Sequence, residues 1–448
     1  MTFGYTPFDP LVVVAGTIYA AYLLMVRPVR LMGFLPIALS IYFFIPALSL
    51  LTLWRTIPLL LIGRLLQKGR IGLSAAARPI FGALVVLFLV SLGYAVVFGG
   101  DTQRAIIRGI YYMSAGALFL FAYEMGQRKE GYDLFVRGFA IAAIIYAVFG
   151  AYQILAFYTG LPVRGIVYGP NSTGPIASSG GIPRINSLAN EPKRLGYVMF
   201  VGALACFALA MQLSGKARRR FMLAGVAVIA LSLMTFSASY FLALVLFLAM
   251  ATLLYPRKLF KVSLVAAAFL SVLAVADPDG PIISALVESV ESRVEEVETG
   301  LDGNVVYRQE FFANDYLQQY PIKAVTGVGV GQYYYVLNRE YGLGVGYGEG
   351  GTLMPLNSTL LDITFDLSGA AALLLYVGLA ALLIRLRRER FHFLTLALLF
   401  LVLQSLTITT LLYIAVVAGV GLGQLRAVRV EEHRHVISSG ASPGFAPS

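Results

Sequence analysis

Charge is what this sequence has least of. Only 13% of its 448 residues are Asp, Glu, Lys or Arg, against 58% hydrophobic, a balance that excludes an ordinary soluble domain. The single cysteine, Cys206, lies inside an apolar run, which excludes disulfides and leaves redox compartment unmarked. The N-terminus lacks a basic segment followed by a small-residue cleavage site, so its first apolar stretch is expected to stay as a membrane span. No self-similarity at a period of about 20–50 residues is present, which excludes a tandem-repeat architecture.

What the chain does have is apolar runs of bilayer length along most of its extent. Each is long enough, at about 1.5 Å rise per residue, to cross roughly 30 Å of hydrocarbon. The net charge of +11 is carried by short basic runs between them: RPVR (27–30), QKGR (67–70), GQRK (126–129), GKARRR (215–220), YPRK (255–258) and RLRRER (385–390). That is the positive-inside pattern of a polytopic protein, and it implies no nucleic-acid partner. Three apolar stretches, 31–66, 221–255 and 391–425, run from one basic loop to the next and are expected to fold as hairpins turning near 46–52, 237–239 and 407–410. Single spans are expected at 10–26, 79–98, 105–125, 134–158, 195–213, 259–276 and 358–384.

The sequence therefore predicts an all-α polytopic membrane protein of about 12–13 transmembrane helices. Residues 1–276 form a transmembrane bundle with a short outer loop at 159–193; 277–356 form an extracytoplasmic, mostly helical cap; 357–425 return as C-terminal transmembrane helices; 426–448 are a cytoplasmic disordered tail. The cap interrupts the apolar pattern with ordinary soluble-protein sequence, and irregular backbone of that kind cannot face lipid. A plain transporter needs no such insert. Within it, GVGVGQ (327–332) resembles a nucleotide fingerprint only superficially, because no βαβ unit precedes it; it reads as a glycine turn.

Outer loops of membrane proteins normally shed Lys and Arg, yet here they keep Arg104, Arg108, Arg164, Arg184, Lys193, Arg194, Arg293, Arg308, Lys323 and Arg339. Retained outer arginines point to an anion, since the planar guanidinium matches phosphate oxygens and several together stabilise a diphosphate as charge builds on it. The alternative is solvated charge paired with loop carboxylates, and it is the better reading for Arg293, one turn from Glu296. The segment RINSLANEPKRLG (184–196) places Arg184, Glu191 and Arg194 just before a span, with Pro192 suited to the first helical turn. Glu191 is either a catalytic base or a helix-capping partner of Arg194. His392, His433 and His435 all fall on the cytoplasmic side, so an outer site must work with carboxylates, arginines and amides, and no outer cluster has metal-ligand spacing. No cofactor is implied.

Three stretches in this order resemble the O-antigen polymerase and ligase superfamily of bacterial membrane glycosyltransferases. They are Arg184 to Glu191-Pro192 before a span; Arg308, Pro321 and GVGVG (327–331) in the cap; and LNSTLLDITFDLSGAA (356–371), where Asn357 matches and Asp366 stands for a glutamate. The resemblance implies a GT-C-like fold in the bacterial inner membrane, with a periplasmic site acting on undecaprenyl-diphosphate-linked oligosaccharides as donor and acceptor. It implies substrate contacts from Arg184, Arg308 and Asn357, with a chain-length regulator, a flippase and membrane lipids as partners; the retained outer arginines Arg194 and Arg339 are expected to add to the substrate site, and with no outer histidine the candidate catalytic bases are Glu191, which is favoured, and Asp366. Leu356 stands where ligases carry a histidine, which favours repeat-unit polymerisation over transfer of finished polymer to lipid A core. Ala238, in TFSASY (235–240), replaces an arginine of the family's middle hairpin. The leading non-enzyme alternative is a lipid-linked-sugar flippase, whose binding groups would lie at mid-membrane in two related halves.

Overall fold

The computed structural model describes residues 25, 27–40, 78–161, 178–179, 182–187, 189, 192–256, 305–341, 356 and 358–438. In chain order these form α1 (Pro28–Ser40), α2 (Arg78–Phe98), α3 (Thr102–Gly126), α4 (Lys129–Thr159), a two-residue pair β1 (Ser178–Ser179) and β2 (Ile182–Pro183), α5 (Pro192–Gln212), α6 (Gly215–Leu233), α7 (Ala238–Leu254), α8 (Val305–Gln319), α9 (Pro321–Thr326), α10 (Tyr333–Tyr341), α11 (Thr359–Asp366), α12 (Gly369–Arg388), α13 (His392–Gln404) and α14 (Leu411–Ser438). Among the described residues six helices are long and apolar enough to cross a membrane: α2, α3, α4, α5, α12 and the 411–432 part of α14. The chain is a helical, multi-pass membrane protein. The expected spans at 10–26 and 259–276, and most of the first hairpin, lie outside the described residues.

Helix ends follow local chemistry. Asp101 accepts the Arg104 amide at 3.0 Å and starts α3. Gly160, in the left-handed region at φ 72°, ends α4. The two later hairpins turn at 234–237 and 405–410, close to the expected positions. Packing is close where α14 lies on α3. A Cβ on Gly419 would sit 2.5 Å from the Phe119 carbonyl, and one on Gly423 2.5 Å from that of Tyr123. Small residues let the two backbones approach in this way, which supplies packing energy where lipid gives helices no hydrophobic reason to associate. The outward face of α2 is apolar and exposed at Val86, Leu89, Val90 and Val97, as a lipid-facing helix requires.

Two expectations change. The stretch 358–384 is not one span but two helices, α11 and α12, broken at Leu367 and Ser368. Ser368 is extended (φ 165°), and its hydroxyl accepts the Ala371 amide at 2.9 Å, so it ends one helix and caps the next. The tail also departs from expectation, because α14 continues through Ser438 and 426–438 are helical. VRVEEHRHVI contains no Gly or Pro to stop it, and Arg426 donates to the Tyr123 hydroxyl at 3.0 Å.

Among the described residues, the basic connections near 126–129, 255 and 385–390 lie together at one end. Gln424 donates to the Gly126 carbonyl at 2.5 Å, the Tyr132 and Phe391 rings meet at 6.5 Å, and His392 Nδ1 shares a hydrogen bond with the Tyr255 hydroxyl at 3.2 Å. Arg387 stacks over the same Tyr255 ring. The opposite end holds the α2–α3 turn, segment 305–341 and the break between α11 and α12. Gln318 and Ser214 are exposed at these opposite ends, while Cys206 is buried. Cysteines introduced singly at the two exposed sites are therefore expected to differ: Gln318→Cys should react with a membrane-impermeant maleimide in intact cells, Ser214→Cys only after lysis. Equal labelling of both in intact cells would contradict this polarity.

Candidate functional site

The far end carries two polar constellations. The first is built around Arg184. β1 and β2 pair antiparallel, Ser178 with Pro183 and Ser179 with Ile182, and deliver the chain to Arg184. Its Nε donates to the Thr235 carbonyl at 3.0 Å, while the next amide, Ile185, donates to the Met234 carbonyl at 3.1 Å. The loop is also clamped from α4. Gln153 Oε1 accepts the Ser187 amide at 2.7 Å and the Asn186 amide at 3.2 Å, its Nε2 donates to Asn186 Oδ1 at 2.8 Å, and the Ser187 hydroxyl donates to the Tyr146 carbonyl at 2.7 Å. Among the described residues three non-glycine positions have φ in the left-handed region, and two of them, Ser187 (49°) and Phe236 (40°), flank this contact. Such conformations cost on the order of 1–3 kcal/mol each and persist only where surrounding contacts impose them.

Pro192 opens α5, as its position before the span predicts, and Arg194 follows within the first turn, partly buried. The start of α5 is held against the middle hairpin by Gly196, where a Cβ would lie 2.6 Å from the Tyr240 ring. The Arg184 segment and TFSASY, far apart in sequence, are thus neighbours. Glu191 lies outside the described residues.

The second constellation is an ion cluster that the sequence reading did not assemble. Arg108 lies not in a loop but in the second turn of α3, with its side chain 13% exposed. Its Nε donates to Asp366 Oδ2 at 2.8 Å and its Nη2 pairs with Asp362. The guanidinium also lies over the Tyr111 ring at 4.8 Å and the Tyr112 ring at 5.4 Å. Asp366, fully buried, takes two further donors: the Tyr112 hydroxyl at 2.9 Å on Oδ2 and the Gly331 amide at 2.9 Å on Oδ1. Its backbone carbonyl accepts from the Ser91 hydroxyl of α2. One residue thus joins two spans, a short helix and segment 305–341.

GVGVG is a turn, with Gly327, Gly329 and Gly331 all at positive φ. Gly331 sits against main chain: a Cβ would be 2.8 Å from the Arg104 carbonyl oxygen. Gln332 completes the docking by exchanging hydrogen bonds with the Asp101 amide and carbonyl at 3.2 and 2.8 Å. Tyr333 follows at the start of α10. Burial pushes its phenol well above the usual tyrosine range, and the nearby charge of Asp362 adds to that, so the hydroxyl keeps its proton.

The remaining expected residues are dispersed. Arg339 lies in the last turn of α10 and is exposed. Arg308 is on α8, with its side chain outside the described residues, as is Asn357 altogether. Asp366 is not inside a span, as expected, but at the end of α11. Three donors to its carboxylate, two from α3 and one from the glycine turn, make it an anchor for both. Two signals for the cluster were present in the sequence. Arg108 is an ionisable residue within an apolar helix, and such residues carry a functional presumption. In DITFD, Asp362 and Asp366 stand four apart, on one helical face.

No protein-family model matches the chain, and no curated protein matches it. Its own residues must carry the functional reading.

Removing one member of a buried ion pair typically costs about 3–5 kcal/mol, because the partner's charge stays behind. Asp366→Ala is expected to destabilise by about that much, measured by unfolding in detergent micelles. The double variant Arg108→Leu/Asp366→Leu should lose less than the sum of its single changes. Additive losses would show that the two residues do not act as a pair.

Proposed function

We propose that the protein is a polysaccharide polymerase, a GT-C-like glycosyltransferase joining undecaprenyl-diphosphate-linked repeat units at the periplasmic face of a bacterial inner membrane. The supporting observation is the clamped Arg184. The arginine of the first motif is held against the turn of the middle hairpin, in a loop whose backbone strain is imposed from both sides. A cation fixed in this way, at the end of the bundle away from the basic loops, suits a lipid-borne anion better than a mobile surface charge does. The glycine turn and the Asp366 segment, the other two stretches of the resemblance, also meet.

In this reading Arg184 and Arg194, with Arg308, Arg339 and Asn357, hold the donor diphosphate and its glycan. An acceptor hydroxyl attacks the anomeric carbon from the face opposite the diphosphate. The new C–O bond forms as the bond to the lipid diphosphate breaks, and the configuration inverts. The hydroxyl proton passes to Glu191, and the arginines stabilise the negative charge left on the departing diphosphate. Asp366, with its donors already in place, is a positioning residue that keeps segment 305–341, the proposed cap, seated over the bundle.

The test is reconstitution in vesicles with lipid-linked repeat units, scoring chain elongation and lipid translocation separately. Elongation is expected. Translocation without elongation would identify a flippase, and transfer only to a lipid A core acceptor would identify a ligase. In the same assay Arg184→Ala and Arg194→Ala should each lower elongation by about 10²-fold, with lysine recovering part of the loss because a point charge cannot reproduce the planar fork. Glu191→Gln should abolish elongation while donor binding remains. Near-normal elongation by that variant would remove Glu191 as the base.

A further inference from the structure

At the other end of the molecule, the elbow between α5 and α6 concentrates positive charge. Lys216, Arg218, Arg219 and Arg220 fall within the first two turns of α6, and all four are exposed. Among the described residues none of them has an ion pair. The first turn contains no acidic residue, and the Ser214 side chain makes no capping hydrogen bond. The helix dipole, positive at this terminus, adds to the charge instead of offsetting it. A positive-inside bias accounts for cations in a loop, but not for four of them left uncompensated where a helix begins.

The surface beneath the charges is apolar. A groove of about 530 Å³ is lined by Gly215, Arg218, Arg219, Met222 and Leu223. Positions 219, 222, 223 and 226 follow one another at helical spacing, so the stripe passes from guanidinium to aliphatic within two turns. Met222 is 42% exposed, Leu223 70% and Val226 57%. Cationic at the start of α6 and aliphatic toward its middle, the stripe is the complement of an amphiphile with an anionic head and a hydrocarbon tail.

We infer that this elbow is a binding site for an anionic phospholipid, its phosphate held by Lys216, Arg218 and Arg219 and an acyl chain lying along Met222, Leu223 and Val226. Charge complementarity selects an anionic head over a zwitterionic one, since each basic side chain near such a lipid gains from a net negative charge. The apolar stripe selects a lipid over a free phosphate. The inference does not depend on the activity proposed above.

Native mass spectrometry of the purified full-length protein in detergent, titrated with palmitoyl-oleoyl phosphatidylglycerol or the matching phosphatidylcholine, tests it. The wild type should prefer phosphatidylglycerol by at least about tenfold at one site. Arg218→Ala/Arg219→Ala should erase that preference, and Arg218→Lys/Arg219→Lys should keep most of it. Leu223→Ser should weaken both lipids. All these positions are exposed, and an unchanged size-exclusion profile checks that the variants fold. An unchanged preference in the double alanine variant would overturn the site. Displacement of phosphatidylglycerol by millimolar inorganic phosphate, with Leu223→Ser neutral, would overturn the lipid and leave a bare anion site.

Discussion

A guanidinium buried among membrane helices must be answered by negative charge, because the cost of leaving it unpaired in a low-dielectric interior exceeds that of any single packing contact. Arg108 imposes that condition on everything around it. Asp362 and Asp366, four apart on one face of α11, answer it together. Where α11 ends before the break at Leu367 and Ser368, the Phe365 carbonyl accepts the Val328 amide of the glycine turn, which seats segment 305–341 beside the same cluster. Tyr112 and the Gly331 amide then complete the shell around Asp366, so the network is closed by groups from several parts of the chain.

Much of the bundle was legible in the sequence because its physics is local. A run of bilayer-length apolar residues bounded by basic loops leaves little choice but a span, and α2, α3, α4 and α5 begin and end within a few residues of the expected limits. The hairpin turns at 234–237 and 405–410 were readable for a related reason: an apolar stretch of twice the bilayer thickness must reverse. The break at Ser368 was not readable. LLDITFDLSGAAALLL carries enough apolar residues to pass as one helix, and the Asp366 at its break pairs with Arg108, more than 250 positions away. Arg108 itself was placed in a loop because charge was taken as a mark of exposure, when two distant carboxylates were available to bury it.

The candidate site was legible only in part. RINSLANEPKRLG stood out by its density of Arg and Glu before a span, and Arg184 does meet the hairpin carrying TFSASY. The clamp that holds it comes from Gln153, a polar side chain in the largely apolar later part of α4, whose pairing with Asn186 and Ser187 no spacing rule announces. Arg339, singled out as a cation kept in an outer segment, lies exposed at the end of α10, apart from the Arg184 clamp.

Part of the attachment of segment 305–341 to the spans is made by main chain, beside the Gln332 side chain. The Val328 amide meets the Phe365 carbonyl, the Gly331 amide meets Asp366, and Gly331 has no space for a side chain beside Arg104. A surface anchored through its backbone can change its residues without loosening its seat. This separates two demands often in conflict: the joint fixes where the segment stands, while the face above it remains free to vary.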